Sequence, residues 1–243
     1  MIEKGLDSLI HYLREQKLIS DSIFIDGTKL LADANKYSFV WKKSTIKYDK
    51  MNREQIVSLM FELKEAHLAS RIPEGTSLTL DRLDEVLIRL ELRLEDLEQE
   101  VIQTKDVSPN PAKQQRRTLK AQKRKLSERR DKMADHQQRL AICGIRNSYS
   151  KTDTDATFMR VKEDSMRNGQ LKPAFNLQIA TSNQFILNYD VYQNPTDTRT
   201  FPTFIEKMNK AGRLPRYIVA DAPGMVQNKI IGTLKRNDRT IPH

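Results

Sequence analysis

Cysteine, tryptophan, glycine and long apolar runs are all scarce in this sequence, and each scarcity removes a class of protein. The single cysteine, Cys143, can form neither an internal disulfide nor a cysteine-based zinc site. The eight glycines supply no GxGxxG and no Walker loop, so a nucleotide-binding fold has no support. No apolar run approaches the roughly 18 residues of a membrane span. Residues 1–20 lack the basic, then apolar, then small-residue order of a signal peptide. Acid is also short, with 32 Asp+Glu against 42 Lys+Arg and a net charge of +10. With 38% hydrophobic and 30% charged residues, the chain can bury a core but carries more charge than an ordinary domain. The expectation is a cytoplasmic, basic, mostly helical chain of 243 residues, one large domain or two small ones. Its surplus charge suggests a polyanionic partner and no membrane.

What is present is helical periodicity. Ile2, Leu6, Leu9, Ile10 and Leu13 stand at helical spacing within residues 1–20. The stretch from about 52 to 144 is strongly helical. Leu80, Leu83, Leu87, Leu90, Leu94, Leu97 and Val101 keep a 3-4 spacing, an a/d seam sustained for three heptads. Ser108-Pro109-Asn110-Pro111 then breaks the helix, because proline lacks the amide donor and clashes with the preceding turn. A second helix repeats Leu119, Leu126, Met133 and Leu140 every seven residues. A short proline-rich turn between such helices predicts an antiparallel hairpin.

The two arms carry opposite charge. Residues 81–100 hold eight acids against Arg82, Arg89 and Arg93, a balance of −5. Residues 105–139 hold twelve bases and four acids, a balance of +8. Opposite signs allow the arms to pair along their flanks, each contact worth about 0.3 kcal/mol. The basic arm can simply complement the acidic one, or face a polyanion; the remaining +3 leaves room for both.

Strand patterns flank this helical stretch. Ile23-Phe24-Ile25 reads as a short buried strand, followed by Asp26-Gly27, a pair suited to a turn or strand end. Residues 157–161, 176–180 and 185–191 are strand-like, with 181–184 as a hairpin connection. Residues 197–210 read as a helix with Pro202 near its first turn, and 217–221 as an apolar strand ending in an acid. The order strand-strand-strand-helix-strand needs a first strand from elsewhere, and Ile23-Phe24-Ile25 is available. The predicted class is α/β (α+β), a mixed sheet with a long antiparallel helical hairpin, or coiled coil, inserted after the first strand.

Two apolar strands thus end in an aspartate, Asp26 and Asp221. Acids at the ends of neighbouring strands can converge on Mg²⁺ or Mn²⁺, hard cations that take oxygen ligands and are shared with substrate phosphates. Two such ions can activate a water or hydroxyl and stabilise the leaving oxygen in phosphodiester chemistry. A strand-end aspartate also commonly caps a turn or a helix, and these residues alone leave both readings open.

Longer strings narrow the choice. IFIDGTKLLADANKYSFVWKK, residues 23–43, closely resembles the first catalytic block of bacterial insertion-sequence transposases of the DDE type. Residues 150–200 resemble the middle of the same catalytic domain, and YIVAD, residues 217–221, resembles the strand that delivers its second acid. The resemblance covers most of residues 1–221, including a helical insertion after the first strand. It implies a ribonuclease-H-like catalytic domain in which Asp, Asp and Glu bind two divalent ions, Mg²⁺ or Mn²⁺. It also implies DNA transposition, in which a metal-bound water cuts DNA at the element's ends and the freed 3′ hydroxyl attacks target DNA. Carried over by position, Asp26 is the first acid and metal ligand and Asp221 the second. Lys29, Lys36, Trp41, Lys42 and Lys43 are expected to line the approach, where bases grip phosphate and an aromatic ring stacks on a base. Trp41 is equally readable as a packing residue. Arg116, Arg117, Lys120, Lys123 and Arg124 in the basic arm are further DNA-binding candidates. Asp33 departs from the first block and reads as structural. Asp153, Asp155 and Asp197 lie in family-typical strings without a metal role.

The resemblance stops after Asp221. The family pattern continues Ala-Gly-Tyr-Gly-Ser-Glu, whereas residues 222–231 read APGMVQNKII. Glu206 is the last glutamate and precedes Asp221, so no residue matches the third acid. A frameshift accounts for this. Codons for residues 223–231 can be chosen so that another frame reads Gly-Tyr-Gly-Ser-Glu-Gln-Asn-Tyr-Arg, and Met225, with its single codon, supplies bases of that tyrosine. Residues 222–243 are therefore expected to be out of frame. The stretch before the first catalytic strand is also short for the helical DNA-binding region of full-length relatives. The expected layout is 1–50 for the N-terminal helix and first catalytic strand and 51–149 for the helical insertion. Residues 150–221 complete the partial catalytic domain, and 222–243 form the tail. The leading reading is a DDE transposase in an incomplete copy, lacking the third acid and inactive as an isolated chain. The runner-up is a non-catalytic remnant that binds DNA or oligomerises with a second copy, and a decayed reading frame is the third.

Overall fold

The computed structural model describes residues 2–65, 78–104, 109–161 and 169–220. They fall into two compact units, one built from residues up to Phe39 and from Ser148 onward, the other from Val40–Asn147. The described residues hold five helices and seven strands, a mixed α/β architecture. None of these helices is long and apolar enough to cross a membrane.

The first unit is organised around β1 (Ser22–Leu31). It pairs antiparallel with β5 (Lys172–Ser182) and parallel with β7 (Tyr217–Ala220). The other edge of β5 carries β4 (Thr157–Met159) and β6 (Phe185–Tyr192), both antiparallel. The strand that precedes the helical stretch therefore completes the sheet, lying between strands that follow that stretch. The β5–β6 connection is tighter than the four residues expected, leaving only Asn183 and Gln184 at φ 49° and 70°. Both are left-handed, as a two-residue type I′ hairpin turn requires.

β1 differs from its expectation in length. Asp26-Gly27 is not a turn or a strand end. Asp26 lies opposite Ile179 and Gly27 opposite Gln178, in the middle of the ladder. Gly27 is there for space rather than torsion, since a Cβ would meet Gln178 and Asp197.

One face of the sheet is sealed. Ile23 and Ile25 of β1 pack with Ala180, Leu187, Phe201 and Phe204 in one core. α1 (Ile2–Glu15) contributes Ile10 to that core, and α5 (Asp197–Lys210) contributes Phe201, Phe204, Ile205 and Met208. Burial of each such side chain is worth about 1.5–3 kcal/mol. Arg213, 8% exposed, ties α1 to β6 through Asp7 at 2.6 Å and Asn188 at 2.9 Å. Pro202 sits at the sixth residue of α5, deeper than the first turn, with its ring exposed. The carbonyl that its missing amide leaves free can then meet water. On the opposite face Phe24, Tyr189, Val191 and Val219 remain 57%, 47%, 49% and 48% exposed.

The second unit contains three helices where two were expected: α2 (Lys42–Glu65), α3 (Leu80–Gln103) and α4 (Pro111–Cys143). The helical stretch begins at Lys42, so the boundary expected at residue 50 falls inside α2. Ile56, Met60 and Leu63 at i, i+4 and i+7 join the heptad leucines Leu83, Leu90 and Leu97 of α3. Leu119, Leu126 and Met133 of α4 complete that core. Apolar residues on the outer side of α2, Tyr48, Met51 and Phe61, are exposed and blur its amphipathic pattern in the sequence. The proline pair acts as a helix start. Asn110 accepts the Lys113 amide at 3.0 Å, and Pro111 takes the first helical position, where a missing N–H costs nothing. Two short strands, β2 (Phe39–Trp41) and β3 (Ser148–Ser150), mark where the chain leaves and re-enters the first unit.

Candidate functional site

Strand alternation decides where each expected site residue points. Asp26 follows the buried Ile25 and is exposed on the open face of the sheet. Its Oδ1 accepts the amide of Gly27 at 2.8 Å. The parallel register pairs Ile25 with Ala220, and each of these residues is followed in the sequence by an aspartate. The second of them, Asp221, lies outside the described residues. Among the described residues no three His, Cys, Asp or Glu side chains come close enough to hold a metal ion. Asp26 alone, hydrogen-bonded to its neighbour's amide, does not make a Mg²⁺ or Mn²⁺ site, because such ions need several oxygen ligands in fixed geometry.

Lys29 departs from its expected place. Three residues on from Asp26 in an extended strand, it points to the opposite, α5 side of the sheet. Its Nζ donates to Asp197 Oδ1 at 2.7 Å, and its side chain is only 12% exposed. Asp197 opens α5 and also accepts from Asn176 at 2.8 Å and Gln178 at 3.0 Å. Asn176 and Gln178 are fully buried neighbours on β5. Burial pushes the Asp197 carboxyl up, but hydrogen bonds from Lys29, Asn176 and Gln178 together with the Lys29 charge outweigh it and hold it below its ordinary value. Gly27 completes the arrangement. A Cβ there would lie 2.5 Å from Gln178 Nε2 and 3.0 Å from Asp197 Cγ. Only glycine leaves room for the carboxamide and carboxylate to meet above the strand.

Gly27, Lys29, Asn176, Gln178 and Asp197 thus form a polar cluster in the first unit, and little in the sequence signals it. The one usable signal was a pair of polar residues, Asn176 and Gln178, at alternate positions of an otherwise apolar strand. Two polar residues on one face of a central strand need a partner on the element that covers them. Asp153 and Asp155 serve local structure. Asp153 Oδ1 accepts the Asp155 amide at 3.0 Å, and Asp155 Oδ1 accepts from Gln193 at 3.1 Å.

The remaining basic candidates divide between the units. Lys36 is exposed, with its ammonium 5.1 Å from the centre of the Tyr37 ring. Trp41, Lys42 and Lys43 belong to the helical unit. The Lys42 ammonium donates to the carbonyl of Gly144, and Lys43 is exposed. On α4, two of the five DNA-binding candidates are held in ion pairs with α3. Arg116 meets Glu98 at 2.6 Å, Lys123 meets Glu91 at 2.6 Å, and Arg130 grips Asp84 through two hydrogen bonds of 2.8 and 2.7 Å. The bases step by seven residues up α4 while the acids step by seven down α3, so the pairs form a ladder with one antiparallel register. The opposed charges seen in the sequence do pair along this flank. Arg117, Lys120 and Arg124 stay exposed beside it.

Cys143 is buried, and burial raises its thiol pKa, which keeps it a packing residue. No family model, no curated protein and no solved structure matches this chain.

Proposed function

We propose that this chain is the partial ribonuclease-H-like catalytic domain of a DDE-type transposase, with Asp26 and Asp221 as two of its metal-binding acids. The observation that carries the reading is the parallel pairing of β1 with β7. It brings the strand of the first block beside the strand of the YIVAD string, with Ile25 opposite Ala220 and an aspartate next in each sequence. Asp26 is also solvent-exposed on a face where a DNA phosphate has access. When bound by the acids, Mg²⁺ or Mn²⁺ would supply an activated water and stabilise the leaving oxygen of a phosphodiester. This chain's own part is to hold Asp26 at a fixed height in a doubly paired strand. No glutamate follows Asp221 in this sequence to match the family's third acid, so the proposal includes the loss of cleavage activity in the isolated chain.

The test is Mn²⁺ binding by the purified chain, followed by electron paramagnetic resonance, beside cleavage of linear DNA. The expected result is weak binding that disappears in both Asp26→Asn and Asp221→Asn, with no DNA cleavage. Binding unchanged in Asp26→Asn would overturn the assignment of the acid. Robust cleavage that Asp26→Asn abolishes would overturn the claim of incompleteness. The second reading, a non-catalytic DNA-binding chain, is favoured by the exposed bases of α4 and needs no metal.

A further inference from the structure

The charge on α4 is sorted into two rows. Arg116, Lys123 and Arg130 face α3 and are held by Glu98, Glu91 and Asp84. Lys113, Arg117, Lys120 and Arg124 recur at i, i+4, i+7 and i+11, which places them on one stripe next to the ladder. All four are exposed. Arg124 has an acidic neighbour in its own helix, Glu128 at 3.8 Å, but both side chains are well exposed, at 76% and 62%. A pair of that kind holds a base only weakly. Arg117, Lys120 and Arg124 line an open groove of about 920 Å³ with Glu91, Glu95 and Glu98. Glu128 and Asp131 line it too; Glu91 and Glu98 are engaged by the ladder, Asp131 by Arg130 and Glu128 loosely by Arg124, which leaves Arg117 and Lys120 against Glu95.

We infer that this stripe is a phosphate-binding rail for duplex DNA. Eleven residues of helix span about 16 Å, a length over which one DNA strand offers about five phosphates. The apolar residues of α4 are buried in the helical core, so the stripe has no greasy face with which to enter a lipid surface. The residues between the bases include Gln114, Gln115 and Thr118, which suit a wet, sequence-tolerant backbone contact. The choice of DNA among polyanions rests on the proposed function, whereas the rail itself does not.

The experiment uses the full chain, a fluorescent 30-base-pair duplex and fluorescence anisotropy, with EDTA present so that metal binding plays no part. Four phosphate contacts predict a loss of about 150-fold in affinity between 50 and 200 mM salt. The variant Arg117→Gln/Lys120→Gln/Arg124→Gln should lose only about threefold over the same range, because a single contact remains. Lys125→Gln/Lys132→Gln, which removes exposed charge from another face of α4, should leave the salt dependence near that of the wild type. Glu95→Gln should tighten binding. With EDTA present the assay reads no metal binding, so failure of the metal reading and failure of the rail are separately visible. Absence of binding at 50 mM salt, or equal effects of the two α4 variants, would overturn the rail. Tighter binding to an RNA duplex or to anionic vesicles than to DNA would overturn the choice of partner. Circular dichroism of each variant confirms that it is folded.

Discussion

Replacing Gly27 with alanine separates two physical arguments by the sign of the effect. In a strand interior, glycine costs about 0.5–1 kcal/mol relative to alanine, so the generic expectation is that Gly27→Ala stabilises. The structure demands the reverse. The new Cβ would stand 2.5 Å from Gln178 Nε2 and 3.0 Å from the Asp197 carboxylate. Gln178 is fully buried and cannot retreat, and its Nε2 donates to both Asp197 and Asn176. Overpacking of this kind costs about 1–3 kcal/mol. Loss of the charge-assisted hydrogen bond to Asp197 adds about 1.5–3 kcal/mol if Gln178 is displaced. Asp197, 37% exposed, can swing outward and relieve part of the strain, so the lower half of the combined range applies, about 2.5–4 kcal/mol. At about 1–3 kcal/mol per molar urea, that moves the midpoint down by roughly 1–4 M. The two units need separate probes, so unfolding is followed by hydrogen exchange of the β1 and β5 amides rather than by the helical signal alone. Adding Gln178→Ala to Gly27→Ala empties the space, and at least about 1 kcal/mol of the loss should return as a coupling energy. Stabilisation by Gly27→Ala, or strict additivity in the double variant, would refute the steric account.

Two further perturbations test the polar arrangement. Asp197 has a carboxyl pKa held below its ordinary value, so its contribution to stability is present above about pH 4 and is lost as pH falls through the lowered folded value. The stability gap between wild type and Asp197→Asn, measured by urea unfolding, should be constant from pH 7 to 5 and shrink below pH 4. A gap that widened in acid would contradict that sign. In the helical unit, Glu91→Gln and Glu98→Gln should each cost about 0.2–1 kcal/mol at low salt and much less in 1 M salt, read from the fluorescence of Trp41, the sole tryptophan.

The helices were legible wherever their burial followed one seam. The leucines from Leu83 to Leu97 repeat at heptad spacing and are buried together, so α3 and α4 could be read directly. α2 was legible only as helical from about residue 52, without a seam or a start, because exposed Tyr48, Met51 and Phe61 interleave with its buried Ile56, Met60 and Leu63. The sheet was legible in membership but not in extent. The β-rich strings marked the strands, yet Asp26-Gly27 carries a turn signature that tertiary packing overrides. The polar cluster was illegible for a different reason. Asp197 meets Lys29 across 168 positions, and Asn176 and Gln178 across 21 and 19. Nothing local in a helix-starting aspartate distinguishes an N-terminal charge from the centre of a buried network.

That distance matters for how substitutions around the proposed acid are interpreted. Lys29 was expected to grip phosphate near Asp26, but it points to the sealed side and holds Asp197. Lys29→Ala leaves the carboxylate without its cation in a partly buried place, which costs about 1–3 kcal/mol. Asp26→Asn sits on the open face, keeps an oxygen for the Gly27 amide at 2.8 Å, and should change stability by no more than about 0.5 kcal/mol. Any DNA or Mn²⁺ phenotype of Lys29→Ala should therefore track its loss of folded protein and recover when the chain is assayed at lower temperature. A phenotype of Asp26→Asn should persist in fully folded protein. Hydrogen exchange over β1 distinguishes the two, since only Lys29→Ala should lower its protection. If Lys29→Ala left β1 protection intact while abolishing binding, Lys29 would have to be returned to the DNA-facing role and the Asp197 contact regarded as dispensable.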